Sequence, residues 1–144
     1  LGARLGVPRM NIALLYLLTG GILLAAEALW LGLFAADLFR SEVGHLMGAQ
    51  FSIAPGLVFY AIYLVGILVF AILPGLEVDG VTRGALLGGL LGLVAYSTFD
   101  LTAMAVFRDF PLRVALMDIA WGSFVTAFAT SAGVLIGRSL GMGG

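Results

Sequence analysis

Hydrophobic positions fall into four long runs separated by short polar stretches, at about residues 11–36, 56–73, 84–106 and 112–136. A helix rises 1.5 Å per residue, so crossing about 30 Å of hydrocarbon takes about 20 residues, and each run is close to that length or above it. Lipid offers backbone amides no partners, so runs of this kind fold as helices. The pattern predicts an all-α, polytopic integral membrane protein. It would be a four-transmembrane-helix bundle with a short interfacial segment between helices one and two. Residues 11–137 form its single domain, after a lead at 1–10 and before a tail at 138–144 that loosens from Gly141.

Turn chemistry sets the expected breaks. Pro74-Gly75 ends the second run, since proline removes a donor and glycine permits a turn. Residues 76–83 then read as a tight connector. The longest connection is 37–55, DLFRSEVGHLMGAQFSIAP, in which Phe39, Val43, Leu46 and Met47 fit one apolar face of a short helix lying at the interface. The lead LGARLGVPR is basic and has no helical pattern, and Met10 offers an alternative start. With Ala25-Ala26 it resembles a signal peptide. The run continues through Trp30-Leu31-Gly32-Leu33-Phe34, past a normal h-region, which favours a retained spanning helix.

Composition narrows the chemistry. The chain is 62% hydrophobic and 10% charged, against roughly 25% charged in a soluble domain. A net charge of −1 gives no reason to expect nucleic acid. The absence of cysteine excludes disulfides and thiolate ligands, and His45 is the single histidine, so no metal or cofactor is expected. The glycine-rich stretch GALLGG lacks the Lys-Ser/Thr of a phosphate loop.

Three acids fall inside the runs: Glu27, Asp100 and Asp118. Intramembrane acids face a bundle interior, find a partner or mark a functional path. Glu27 precedes the end of the first run by about nine residues and Asp100 that of the third by about six, while Asp118 follows the start of the fourth by about six. By span parity these ends share one membrane side, so the acids sit roughly 9–14 Å beneath one surface. Tyr60 and Tyr63 reach a similar level from helix two, Tyr96 and Thr102 from helix three, and Trp30 and Trp121 from helices one and four. Glu27-x-x-Trp30 and Asp118-x-x-Trp121 each place acid and indole on one helix face. The candidates for ligand binding or proton exchange are these residues, together with His45 in the connection and Arg113 as a partner for an acid or a headgroup. Three acids so close cannot all carry charge cheaply, so at least one is expected to hold a proton. The competing reading is structural, with Tyr, Thr and Trp donors using the acids to lock helices together.

Gly84, Gly88 and Gly92 form a GxxxGxxxG stripe whose i+4 continuation reaches Tyr96 and Asp100. Small residues let helix backbones approach. The expected role is packing within the bundle, with Tyr96 and Asp100 turned inward.

At these residues the chain resembles the small four-helix bacterial membrane proteins grouped as domain of unknown function 2177. The resemblance covers about residues 12–132. It rests on Glu27 with Trp30-Leu31-Gly32, Gly44-His45-Leu46, Phe59-Tyr60 with Tyr63, Phe99-Asp100-Leu101-Thr102, Phe110-Pro111-Leu112 and Asp118-Ile119-Ala120-Trp121-Gly122. Ala103 stands where that family usually has Asn, Phe110 where it has Trp, and Glu27 where Asp is common. The resemblance implies the fold and the site, and no activity. It also implies the bacterial inner membrane. Arg4, Arg9, Arg83 and Arg138 on the terminus side outnumber Arg40, Arg108 and Arg113 opposite, which puts both termini in the cytoplasm.

Three functions remain open on the sequence. One is a pocket in one leaflet that binds a lipid-like or other small hydrophobic molecule, with proton linkage through the acids. The second is an accessory or assembly subunit, with a membrane-protein partner or a second copy and the acids as helix glue. The third is a lipid-modifying enzyme using Asp100 or Asp118 as general acid, although no nucleophile with a paired base is visible and catalytic residues stay unassigned. Membrane lipid is the expected surrounding in each case.

Overall fold

In the computed structural model, which describes residues 9–50 and 52–143, four helices are long and apolar enough to cross a membrane. They are α1 (Arg9–Leu46), α2 (Ile53–Glu77), α3 (Gly80–Val106) and α4 (Leu112–Ser139). Residues 1–8 of the expected lead lie outside the described residues, while Arg9 and Met10 open α1. There is no strand among the described residues. Short connections make sequence neighbours antiparallel.

The boundaries that differ most from the sequence reading are the ends of α1 and α2, in both cases because the helix runs further than its apolar run. α1 continues past Ala36 through a wide π-helical turn at Leu31–Ala35, then Ala36–Val43 and a 3-10 turn at Gly44–Leu46. No proline interrupts it, and Asp37 and Arg40 at i,i+3 sit on its exposed side. Polarity changes what surrounds a helix, not whether its backbone can bond to itself. The separate interfacial helix is therefore the end of α1, and only residues 47–52 connect it to α2. In α2, Pro74 does not end the helix. A second π-helical turn at Leu68–Ile72 precedes it and the helix continues through Leu73–Glu77. The wider turn accommodates the ring and the missing N–H of proline.

The connector expected over 76–83 shrinks to Val78-Asp79, turned by Asp79 at φ 58°. The tail is docked rather than loose. Met142 is fully buried, and the Met142 amide donates to the Gly137 carbonyl at 2.8 Å.

α4 lies at the centre. It packs along α3 for most of its length and also against α1 and the second half of α2. Gly84, Gly88 and Gly92 of α3 are buried on α4. A side chain at Gly88 would come within 2.9 Å of the Thr126 carbonyl, and one at Gly92 would run into the Gly122 carbonyl. Glycine is therefore required at both places for backbone to meet backbone. Around this seam, Leu15, Leu23, Ile67, Ile72, Leu76, Val125 and Val134 fill the core. Large apolar side chains such as Leu86, Leu90, Phe124 and Phe128 point outward, as a lipid-facing surface requires.

The helices are less tightly gathered at the other end. α2 packs on α3 through Leu68–Glu77, while its first half, Ile53–Ile67, stands away from the α3 backbone. Aromatic side chains bridge the gap, with Tyr63 and Tyr96 ring centres 6.4 Å apart and Phe59 stacked on Tyr63 at 5.2 Å.

Candidate functional site

The open end holds a cavity of about 630 Å³, walled by α1, the first half of α2, α3 and the start of α4. Glu27, Tyr60, Tyr96 and Asp118 supply its polar groups, and Trp30, Phe39, Phe59 and Phe99 much of its apolar wall. The π-helical turn explains the contribution of α1. It carries one extra residue per turn, so Ala35, Ala36, Phe39 and Arg40 come onto the same face as Glu27 and Leu31.

Glu27 is 6% exposed and is held from two helices. The Tyr96 hydroxyl donates to Oε1 at 2.5 Å, and the Trp121 indole Nε1–H donates to Oε2 at 3.3 Å. Trp121 in turn stacks on Trp30, with ring centres 4.6 Å apart and planes within 5°. Tyr96 is seated by Gly122, where any Cβ would collide with its ring. One short segment of α4 thus performs three tasks. Asp118 faces the cavity, Trp121 binds Glu27, and Gly122 leaves room for the tyrosine that binds Glu27 from the other side.

Asp100 is in a different position. It is 0% exposed, and no donor among the described residues reaches either carboxylate oxygen. Its polar neighbour is the Asp118 carboxyl, close enough for a hydrogen bond between the two acids. Two carboxylates offer only acceptors, so a hydrogen bond between them requires a proton on one. Asp118 lines the same cavity as Glu27. Glu27 and Asp118 thus sit in the cavity wall, and Asp100 is fully buried beside Asp118.

A family described as a predicted membrane protein, domain of unknown function 2177, matches residues 12–135. The chain belongs to this family. Nothing among curated proteins or solved structures matches it. It is thus a four-helix membrane protein whose family carries no assigned activity.

Not all of the residues singled out by sequence meet at the cavity. Tyr63 is buried behind it, its hydroxyl 2.7 Å from that of Thr126. Thr102 lies in a neighbouring apolar cleft of about 440 Å³ with Phe59, Ala95 and Phe99, which also line the main cavity. His45 is exposed on the last turn of α1 and lines neither space. Arg113 does not reach the buried acids. Its partner is Glu42, at 3.8 Å near the end of α1. Arginine this close to a helix start extends towards the surface, where its charge is solvated.

Arg40, Phe59 and Phe99 belong to the wall, although none of them is among the binding candidates that the sequence offers. The sequence reading places Arg40 in a connection, and only an unbroken α1 brings its exposed side chain to the edge of the cavity. Phe59 and Phe99 carry no polar signal, and apolar residues of a membrane helix look alike in sequence whether they face lipid or a cavity. No group of three or more His, Cys, Asp or Glu side chains among the described residues is arranged to hold a metal.

Proposed function

We propose that the protein binds a lipid-like or other small hydrophobic molecule in its one-sided intramembrane cavity. The observation that carries this is the coincidence of a cavity of about 630 Å³ with the Glu27 and Asp118 carboxyls in its wall. Ligand sites are mostly apolar hollows of about 300–1,000 Å³ with a few convergent polar groups. A bundle that needed acids only as glue would gain as much from threonine or asparagine, with less desolvation. Asp118 in the cavity wall and Asp100 beside it, which no other side chain among the described residues satisfies, are the groups left for ligand or proton; the opposite half offers no ionisable relay, so binding is favoured over a path across one monomer. The arginine balance supports cytoplasmic termini and a site beneath the opposite surface.

The test is extraction of protein purified in mild detergent, followed by mass spectrometry. A hydrophobic molecule at about one per chain is expected, and Ala95→Phe, which fills the cavity wall, should lose it while the bundle stays folded. Equal recovery from the filled variant would remove the proposal.

One observation favours a second reading, an accessory subunit of a larger membrane complex. Glu27 is already satisfied by Tyr96 and Trp121 and so ties α1, α3 and α4 together. On that reading a partner helix covers Phe59 and Phe99, and a stable complex survives purification whatever occupies the cavity.

A further inference from the structure

The balance of donors and acceptors around the cavity is uneven. Glu27 and Asp118 line it, Asp100 is fully buried beside Asp118, and apart from that neighbouring acid no donor among the described residues reaches either oxygen of Asp100. The lining contains one cation, Arg40. It lies thirteen residues beyond Glu27, about 20 Å along the helix, and reaches Asp37 at 3.8 Å. The inner end is therefore rich in carboxyl groups and has no counter-cation among the described residues.

The same end is aromatic. The stacked Trp30–Trp121 pair, Tyr60, Tyr96, Phe59 and Phe99 surround or approach the acids. Aromatic faces attract cations electrostatically, and combined with carboxylates they recognise ammonium groups. A bare metal ion fits poorly. It needs several oxygens at short range, and no such group of side chains exists among the described residues. A neutral alcohol brings one donor and leaves the acidic charge uncompensated.

We infer that the cavity takes an amphiphile with an ammonium-type cationic head, which settles between Glu27 and Asp118 and displaces the proton shared by Asp118 and Asp100. This rests on the reading of the cavity as a binding site. The apolar part of the ligand follows Phe59 and Phe99 into the gap between α2 and α3, where the cavity and the neighbouring cleft share those residues. Charge balances: one cation enters, one proton leaves, and no covalent bond changes except O–H. The ionisable groups facing the exchange are Glu27 from α1, Tyr60 and Tyr63 from α2, Tyr96 and Asp100 from α3, and Asp118 from α4, with Arg40 and Arg113 towards the surface. None of the inner groups is cationic.

Both tryptophans of the chain sit at the site, so their fluorescence reports occupancy. The protein is placed in phosphatidylcholine nanodiscs and titrated with dodecyltrimethylammonium, dodecanol or dodecyl sulfate. The ammonium probe is expected to bind saturably, at least tenfold more tightly than the alcohol, with sulfate weakest. Its affinity should fall about tenfold for each unit by which the pH is lowered while the acid pair holds its proton, because one proton competes with one cation. Asp118→Asn should weaken the ammonium probe at least tenfold, and Asp100→Asn should abolish the pH dependence because Asp118 then has no acid with which to share a proton; both should leave the alcohol unchanged. Equal affinity for alcohol and ammonium would overturn the cationic class and leave the binding reading standing. No saturable response to any probe would overturn both. Ammonium binding that ignores pH in the wild-type protein would overturn the exchange, and this arm needs no variant to fold.

Discussion

The two halves of this bundle solve the same packing problem differently. At the end where α2 meets α3, glycines bring backbones together and little space is left. At the other end, bulky aromatics hold α2 away from α3 and a cavity opens around carboxyl groups. The closed half is stabilised by contact between backbones, which tolerates no added atoms. The open half is held by side-chain hydrogen bonds, such as Tyr96 and Trp121 to Glu27. Rigidity at one end allows looseness at the other, because α3 and α4 pass through both and are clamped by the first.

This contrast ranks the effects of substitution. The largest is expected in the seam. Gly92→Leu and Gly88→Leu should cost more than about 3 kcal/mol or prevent folding, since the added side chain meets backbone that cannot move aside. Unchanged thermal unfolding in detergent would show that the seam is not the clamp. Gly122→Ala comes next. It should cost about 2–3 kcal/mol by driving Tyr96 off its seat and breaking its bond to Glu27. A matching change in tryptophan fluorescence is expected, because Trp121 shares the Glu27 carboxylate.

Glu27→Gln probes the open half alone. One amide oxygen still accepts from Tyr96, but the amide N–H₂ then faces the Trp121 N–H, two donors together. A loss of about 1–2 kcal/mol is expected in thermal unfolding; no loss would mean that the network does not hold the cavity together. Asp100→Asn should behave oppositely. Its amide donates to Asp118 and supplies the missing donor, so stability should stay level or rise by up to about 1 kcal/mol while binding of the ammonium probe loses its pH dependence. A clearly destabilised Asp100→Asn protein would place this acid with the structural groups. Gly89→Ala is the smallest change. Nothing lies closer than 3.7 Å to a Cβ there, so the variant should gain about 0.5–1 kcal/mol from helix propensity. Destabilisation at Gly89 would show that more of α3 than its i+4 stripe is closely packed.

How far the sequence reached can be seen residue by residue. Four spans and an all-helical fold follow from hydropathy, since lipid leaves the backbone only intrahelical partners. The gathering of Glu27, Asp100 and Asp118 follows from chain order, because alternating spans return to the same side and buried charge is turned from lipid. The inward turn of Tyr96 and Asp100 follows from the glycine stripe, since i+4 positions share a face. What only the packed structure decided was which acid has a partner and where the space lies. Glu27 and Asp100 look alike in sequence, yet Glu27 receives two donors from distant helices and Asp100 receives none. Likewise, the π-helical turn in α1 brings Phe39 and the exposed Arg40 to the cavity only because the helix continues past its apolar run. Hydrophobic periodicity records the average surroundings of a face. Cavities and hydrogen-bond partners arise where residues far apart in the chain meet, and that is set by how whole helices fit against one another.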